Sequence, residues 1–347
     1  AWKAHAEALA VPDLPGRVRA LRRALQLAPA YDEARLDLAR LQVEQGEHAA
    51  ALEALARGSR DGRAGRPLRF TEGLALLGLG RYTEAAALYA ELRGDGPSAA
   101  VLANEGAALL RLKAPDRPGS APLRQALERE PASLDIPVSL GFALLHEGQP
   151  AAAAFFLRTA VRRDPRDAAA RLLLSWSLRG AGQDAAAEDE WRDLQALTDA
   201  FAALRQPDLT RRFERALPSE GAIVVEPEGR GDAELAASHV LRGEQLLAAG
   251  DVAGAVGELL KAVGLVPFDA RAHLLLARAL RGTGDVARAE EELRASLHCR
   301  EDAAARLELA DLLFARGRSA EARAEAGRVL RTDPANAVAR KLVEDRP

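Results

Sequence analysis

Residues 137–165 read PVSLGFALLHEGQPAAAAFFLRTAVRRDP, and this stretch decides the fold. Leu140, Leu144 and Leu145 recur at helical spacing before Gly148, Leu157, Ala160 and Val161 do the same after it, and Pro165 closes the run. The periodicity predicts two helices joined by a turn. Glycine supplies the left-handed backbone that ends the first helix, and proline cannot continue the second. Outward from here the same punctuation returns at Gly46, Gly80, Gly148, Gly182, Gly250, Gly284 and Gly317, each with an alanine five residues later. Successive glycines lie 34, 68, 34, 68, 34 and 33 residues apart, and Pro29, Pro97, Pro131, Pro165, Pro267 and Pro334 keep a matching phase. The unit is a 34-residue helix–turn–helix. Such a unit is too small to bury its own apolar face and must stack on its neighbours.

At fixed offsets the central unit carries Pro137, Leu140-Gly141, Leu144, Gly148, Ala153, Leu157, Ala160 and Pro165. The seventh unit carries His239, Gly243, Leu246, Gly250, Ala255, Leu259, Ala262 and Pro267. This pattern resembles the tetratricopeptide repeat (TPR) family. The resemblance implies an all-α solenoid of helix–turn–helix repeats in a right-handed superhelix, with about eighteen to twenty helices. Nine units fall near 1–29, 30–65, 66–97, 98–131, 132–165, 166–199, 234–267, 268–300 and 301–334, followed by a capping helix. They form an N-terminal array over 1–199, its first repeat truncated, and a C-terminal array over 234–347. Residues 200–233 read as a degenerate repeat or a linker. Thr198 to Leu217 is amphipathic with a break at Pro207-Asp208, whereas Gly221 to Gly229 is the one β-prone run. Its glycines and Pro227, with Gly231 just beyond, predict a departure from paired helices.

Composition narrows the function. The 347 residues are 48% hydrophobic, 29% charged and 4% aromatic, which fits a core of Ala and Leu and excludes disorder. A net charge of −3 provides no field for nucleic acid or an anionic membrane. No apolar run approaches the roughly 18 residues that would span a bilayer, so membrane insertion is not expected. Cys299 is the sole cysteine and leaves the compartment open between bacterial cytoplasm and periplasm or envelope. Arginine outnumbers lysine 44 to 4, in keeping with a GC-rich bacterial coding bias. The start at Ala1, with no methionine anywhere, reads as a processed product or part of a longer protein.

No phosphate loop, dinucleotide fingerprint, zinc-protease motif or haem attachment motif is present. The expectation is a non-enzymatic protein with no cofactor, no metal and no catalytic residue. His239 and His273 share one repeat position, but equivalent positions in stacked repeats lie about 8–10 Å or more apart, too far for one metal. They read as fillers of a packing position. The run Glu290-Glu291-Glu292, and Arg211-Arg212 with Arg215, read as solvated helix faces, and Trp191 as core.

In the TPR family the first helix of each pair lines a concave groove. By that resemblance the groove positions are Phe70, Leu74 and Leu77, then Val138, Phe142 and Leu145, then Leu172, Trp176 and Arg179. Phe142 and Trp176 stand at matching offsets as anchors for a partner helix or peptide, although packing between helices accounts for them equally well. The Lys and Asn pattern by which some relatives hold acidic chaperone tails is missing. The C-terminal groove offsets are charged instead: Glu244, Arg271, Arg278, Arg281, Glu308 and Asp311. These readings converge on an interaction scaffold or adaptor for a protein or peptide partner, within a multi-protein complex, and not for nucleic acid. The alternative is the regulatory or substrate-presenting part of a larger enzyme, such as a glycosyltransferase.

Overall fold

At Gly148 the backbone turns left-handed with φ 70°, and the turn closes as its N–H donates to Leu145 O at 3.1 Å and the Gln149 N–H to Leu144 O at 2.8 Å. The six other glycines of the series take the same conformation, with φ between 73° and 84°. The opposite boundary is set by Asp two residues after Pro. Asp167 accepts from the N–H groups of Ala169 and Ala170 at 3.0 and 2.9 Å, and Asp269 from those of Arg271 and Ala272 at 2.8 and 3.1 Å.

These signals divide a computed structural model that describes residues 2–11, 13–59, 62–112, 116–197 and 229–344. The chain forms two compact units, Ala1–Val224 and Val225–Pro347. In the first unit six helix pairs follow one another: α1 (Trp2–Leu9) and α2 (Leu14–Leu27), α3 (Asp32–Glu44) and α4 (His48–Leu55), α5 (Gly62–Gly78) and α6 (Tyr82–Gly94), α7 (Ala99–Leu112) and α8 (Ser120–Arg129), α9 (Asp135–His146) and α10 (Pro150–Arg163), α11 (Ala168–Gly180) and α12 (Asp184–Ala196). The second unit contains α13 (Gly229–Ala248) and α14 (Val252–Leu265), α15 (Ala270–Thr283) and α16 (Val286–Cys299), α17 (Ala303–Ala315) and α18 (Ser319–Thr332), then α19 (Ala337–Glu344). Among the described residues there are nineteen helices and no strand, so each unit is an all-α array of helix pairs. Sequential helices pack on each other throughout each unit.

The sequence reading of 198–228 lies outside the described residues. Gly229 and Gly231, read as part of the departure from paired helices, instead open α13. A buried apolar edge at Ala236 and Val240 follows them on this helix.

Small residues let paired helices approach. A Cβ built on Gly141 of α9 would lie 2.5 Å from Leu157 Cγ of α10, and Leu157, like Leu140, Leu144 and Phe156, is fully buried. Gly243 meets Leu259 in the same way, at 2.6 Å. Gly141→Ala is therefore expected to force α9 and α10 apart and lower stability by about 2 kcal/mol, the usual size of overpacking. Denaturant unfolding measures it, and Gly257→Ala, inside a helix where a Cβ would meet nothing within 4 Å, is the comparison without a clash and is expected to stabilise by about 0.5–1 kcal/mol.

Candidate partner-binding surfaces

α11 is the most informative helix of the first unit. Every residue from Ala168 to Ser175 is buried, as are Ser177 and Leu178, yet Trp176 between them leaves 46% of its surface exposed. One step back in the array, on α9, Phe142 and Leu145 are half-buried, and the Phe142 ring meets His146 edge to face at 4.5 Å. Arg179, one turn beyond Trp176, is exposed and ion-paired with Glu188 at 2.7 Å.

The other proposed groove residues divide by burial. Phe70, Leu74, Val138 and Leu172 are closed off inside the array, with Phe70 packed edge to face on Tyr89 at 5.7 Å, so a docking partner cannot touch them. Their expected place on an open groove is corrected here: neighbouring helices cover that register, and the large apolar side chains form the floor. Leu77 is half-buried against the same cluster. At its register one repeat later stands Arg111, which the sequence reading did not single out. Its guanidinium lies over the Tyr82 ring at 5.4 Å and donates to the Tyr82 hydroxyl at 2.9 Å. Glu105, also on α7, is 2% exposed and sits 3.5 Å from Arg93; burial pushes its carboxyl up, against the pull of Arg93 and Arg117. Trp191 on α12 is half-buried.

In the second unit the charged groove residues find one another. Glu244 pairs with Arg271 at 2.6 Å, Arg278 with Glu308 at 2.6 Å and Arg281 with Asp311 at 3.1 Å. Each pair joins the first helix of one repeat to that of the next, so this face neutralises itself. Where α15, α17 and α19 meet, a cleft of about 460 Å³ opens, with Leu307, Val338 and Leu342 on its apolar wall and Arg281, Asp311 and Lys341 on its rim.

Two sequence readings are corrected here. Glu290-Glu291-Glu292 is not one solvated face: Glu290 is 3% exposed and accepts from Arg294, Arg316 and Arg318, while Glu292 holds His273 at 2.6 Å. Three consecutive residues on a helix point about 100° apart, so an acidic run faces both ways. His239 and His273 do more than fill space, since His239 bonds Glu258 at 2.7 Å, and the Glu258 carboxyl is held down to about 2 by Lys261 and His239.

Family models of the tetratricopeptide repeat match residues 18–67, 70–133, 240–302 and 294–337, together well over half of the chain. The chain belongs to the tetratricopeptide repeat family. Solved structures resemble parts of this TPR protein. MamA from Desulfovibrio magneticus RS-1 is 19% identical with a TM-score of 0.44, covering 49% of this chain and 96% of that one. YrrB, a TPR protein with an unusual peptide-binding site, is 17% identical with a TM-score of 0.44, covering 56% and 96%. The Cut9–Hcn1 hetero-tetramer of the APC/C is 16% identical with a TM-score of 0.32, covering 91% and 63%. No curated protein matches the sequence. Among the described residues of this TPR protein no helix is long and apolar enough to cross a membrane, and no group of three or more His, Cys, Asp or Glu side chains is placed to hold a metal.

Proposed function

We propose that this protein is a non-enzymatic interaction scaffold whose first unit receives an apolar segment of a partner protein across α9 and α11. Trp176 is the anchor, Phe142 and Leu145 extend the apolar surface, and Arg179 lies at its margin, while Leu77 on α5 offers a separate apolar position two repeats away. The buried Val138 on α9 and Leu172 on α11 belong to the same two helices, whereas Phe70 and Leu74 pack in the cluster of α5, α6 and α7. The observation that carries the reading is the half-exposed indole on a helix whose neighbouring residues are buried. A tryptophan held on a rigid, packed backbone loses little conformational freedom when a partner covers it, which is why such rings dominate interface energetics. Repeat arrays supply this kind of long, preformed surface without a reaction centre.

The test places a photo-crosslinking amino acid at 176 and another at the exposed Trp2, identifies what is captured at 176 alone, and measures its affinity for the purified chain. Trp176→Ala is expected to cost about 2 kcal/mol of binding, close to thirtyfold in Kd, with the melting temperature held. Unchanged affinity in a folded variant sinks the proposal.

A further inference from the structure

The charge of the whole chain hides a local imbalance in the first helix pair. Between Trp2 and Leu27 stand Lys3, Arg17, Arg19, Arg22 and Arg23 against two acids, Glu7 and Asp13, in a chain whose net charge is −3. α2 itself holds four arginines and no acid. Its Val18, Leu21 and Ala24 are buried in one cluster with Ala34, Leu38 and Leu41 of α3. Successive residues of a helix point about 100° apart, so the opposite side of α2 carries Arg19, Arg22, Arg23 and Gln26, and all four are exposed.

These cations have no internal counter-charge. Arg17 donates to Val11 O at 3.0 Å, and Asp13 caps α2 by accepting from the Gly16 N–H. Among the described residues no carboxylate lies within ion-pair distance of Lys3, Arg19, Arg22 or Arg23. α10 makes the contrast: it too has three arginines and no acid, but Arg158 donates to Gln183, Arg162 to Thr159 and Arg163 to Pro131 O. The first pair also uncovers large apolar side chains. Trp2 is 73% exposed, the most of any large apolar residue described, Leu27 is 68% exposed, and Leu9 and Leu14 are nearly half exposed. Trp2, Ala6 and Leu9 share one side of α1, turned away from the buried Ala8.

We propose that α1 and α2 form a docking face for an anionic phospholipid surface, with Arg19, Arg22 and Arg23 against the headgroups and Trp2 and Leu9 entering the interface. The outward face of a helix is convex. It does not enclose a peptide as a groove does, whereas a planar bilayer meets it with negative charge along its length. Guanidinium keeps its proton at every physiological pH, so the attraction is permanent. A basic residue held at an anionic membrane gains about fivefold in partitioning, and three together on the order of a hundredfold. Charge alone holds weakly, and the exposed indole and leucine add the apolar contact that makes such binding persist. The contact is peripheral and needs no spanning helix. It lies on the first helix pair, apart from the Trp176 surface on α9 and α11, so neither proposal rests on the other.

Sedimentation of the full chain with phosphatidylcholine vesicles, with and without about a third phosphatidylglycerol, tests it. Binding to the anionic vesicles alone is expected, falling steeply as salt rises from about 0.05 M to 0.5 M and the charges are screened. Trp2 emission, read as the difference between the wild type and Trp2→Phe, is expected to shift to the blue on binding. The triple variant Arg19→Gln, Arg22→Gln, Arg23→Gln is expected to bind about a hundredfold more weakly while melting like the wild type, because the three side chains are exposed. The matched variant Arg158→Gln, Arg162→Gln, Arg166→Gln, at exposed positions in and just after α10, is expected to bind as before. No binding to anionic vesicles, an unmoved Trp2 emission, or equal losses in the two triple variants overturns the proposal. An oligoglutamate peptide held more tightly than the vesicles, and lost in the α2 variant, assigns the face to an acidic protein segment and overturns it as well.

Discussion

Tyr89→Ala is expected to cost the first unit about 4 kcal/mol, enough to unfold the repeats around it. Tyr89 is fully buried on α6, and its hydroxyl donates to Phe70 O at 3.2 Å while accepting from Asn104 Nδ2 at 3.2 Å. Three repeat helices thus converge on one ring: α5 through Phe70 and the close approach at Gly73, α6 itself, and α7 through Asn104. A Cβ on Gly73 would lie 2.5 Å from the ring, so the backbone of α5 rests on it. Truncation opens a cavity that neither neighbour can fill and takes the hydroxyl from a fully buried amide. Tyr89→Phe separates the two contributions. It keeps the ring and is expected to cost about 1–2 kcal/mol, the price of the lost hydroxyl alone. Guanidinium unfolding followed by near-ultraviolet circular dichroism reads both, and equal losses for the two variants would show that packing contributes little.

Glu290→Ala is expected to destabilise the second unit by about 3 kcal/mol, near the lower end for breaking a buried ion pair. One buried carboxylate faces three guanidiniums, from Arg294 on its own helix and from Arg316 and Arg318 in the turn between α17 and α18. Removing it leaves three like charges together, while their 36–39% exposure lets water screen part of the repulsion. Burial pushes the Glu290 carboxyl up, but the bonds from Arg318 and Arg294 outweigh it and hold it below the usual carboxylate range. A group held down in the folded state adds stability above its unfolded range and loses it as the pH falls through the folded one. Thermal melts at pH 7 and pH 3.5 should therefore separate more for the wild type than for Glu290→Gln. Parallel shifts in both proteins would remove Glu290 from the acid response.

Some of this was legible because it is local. The left-handed turn at Gly148 needs glycine whatever surrounds it, and Pro165 with Asp167 ends one helix and caps the next within a few residues. Their 34-residue recurrence determined the all-α repeat, its helix pairs and the family, since period and turn chemistry depend only on neighbours along the chain. Repeat offsets could not tell which side chains neighbouring repeats cover. Phe142 and Trp176 share one offset, yet the first is half-buried and the second lies open, and Phe70 vanished into the floor. The acidic run at 290–292 looked uniform until helix rotation turned Glu290 to three arginines of the second unit and Glu292 to His273. Burial and pairing of this kind are set by residues some 20–30 positions away in the chain, so the tertiary structure alone decided which surface remains for a partner and which acid holds His273.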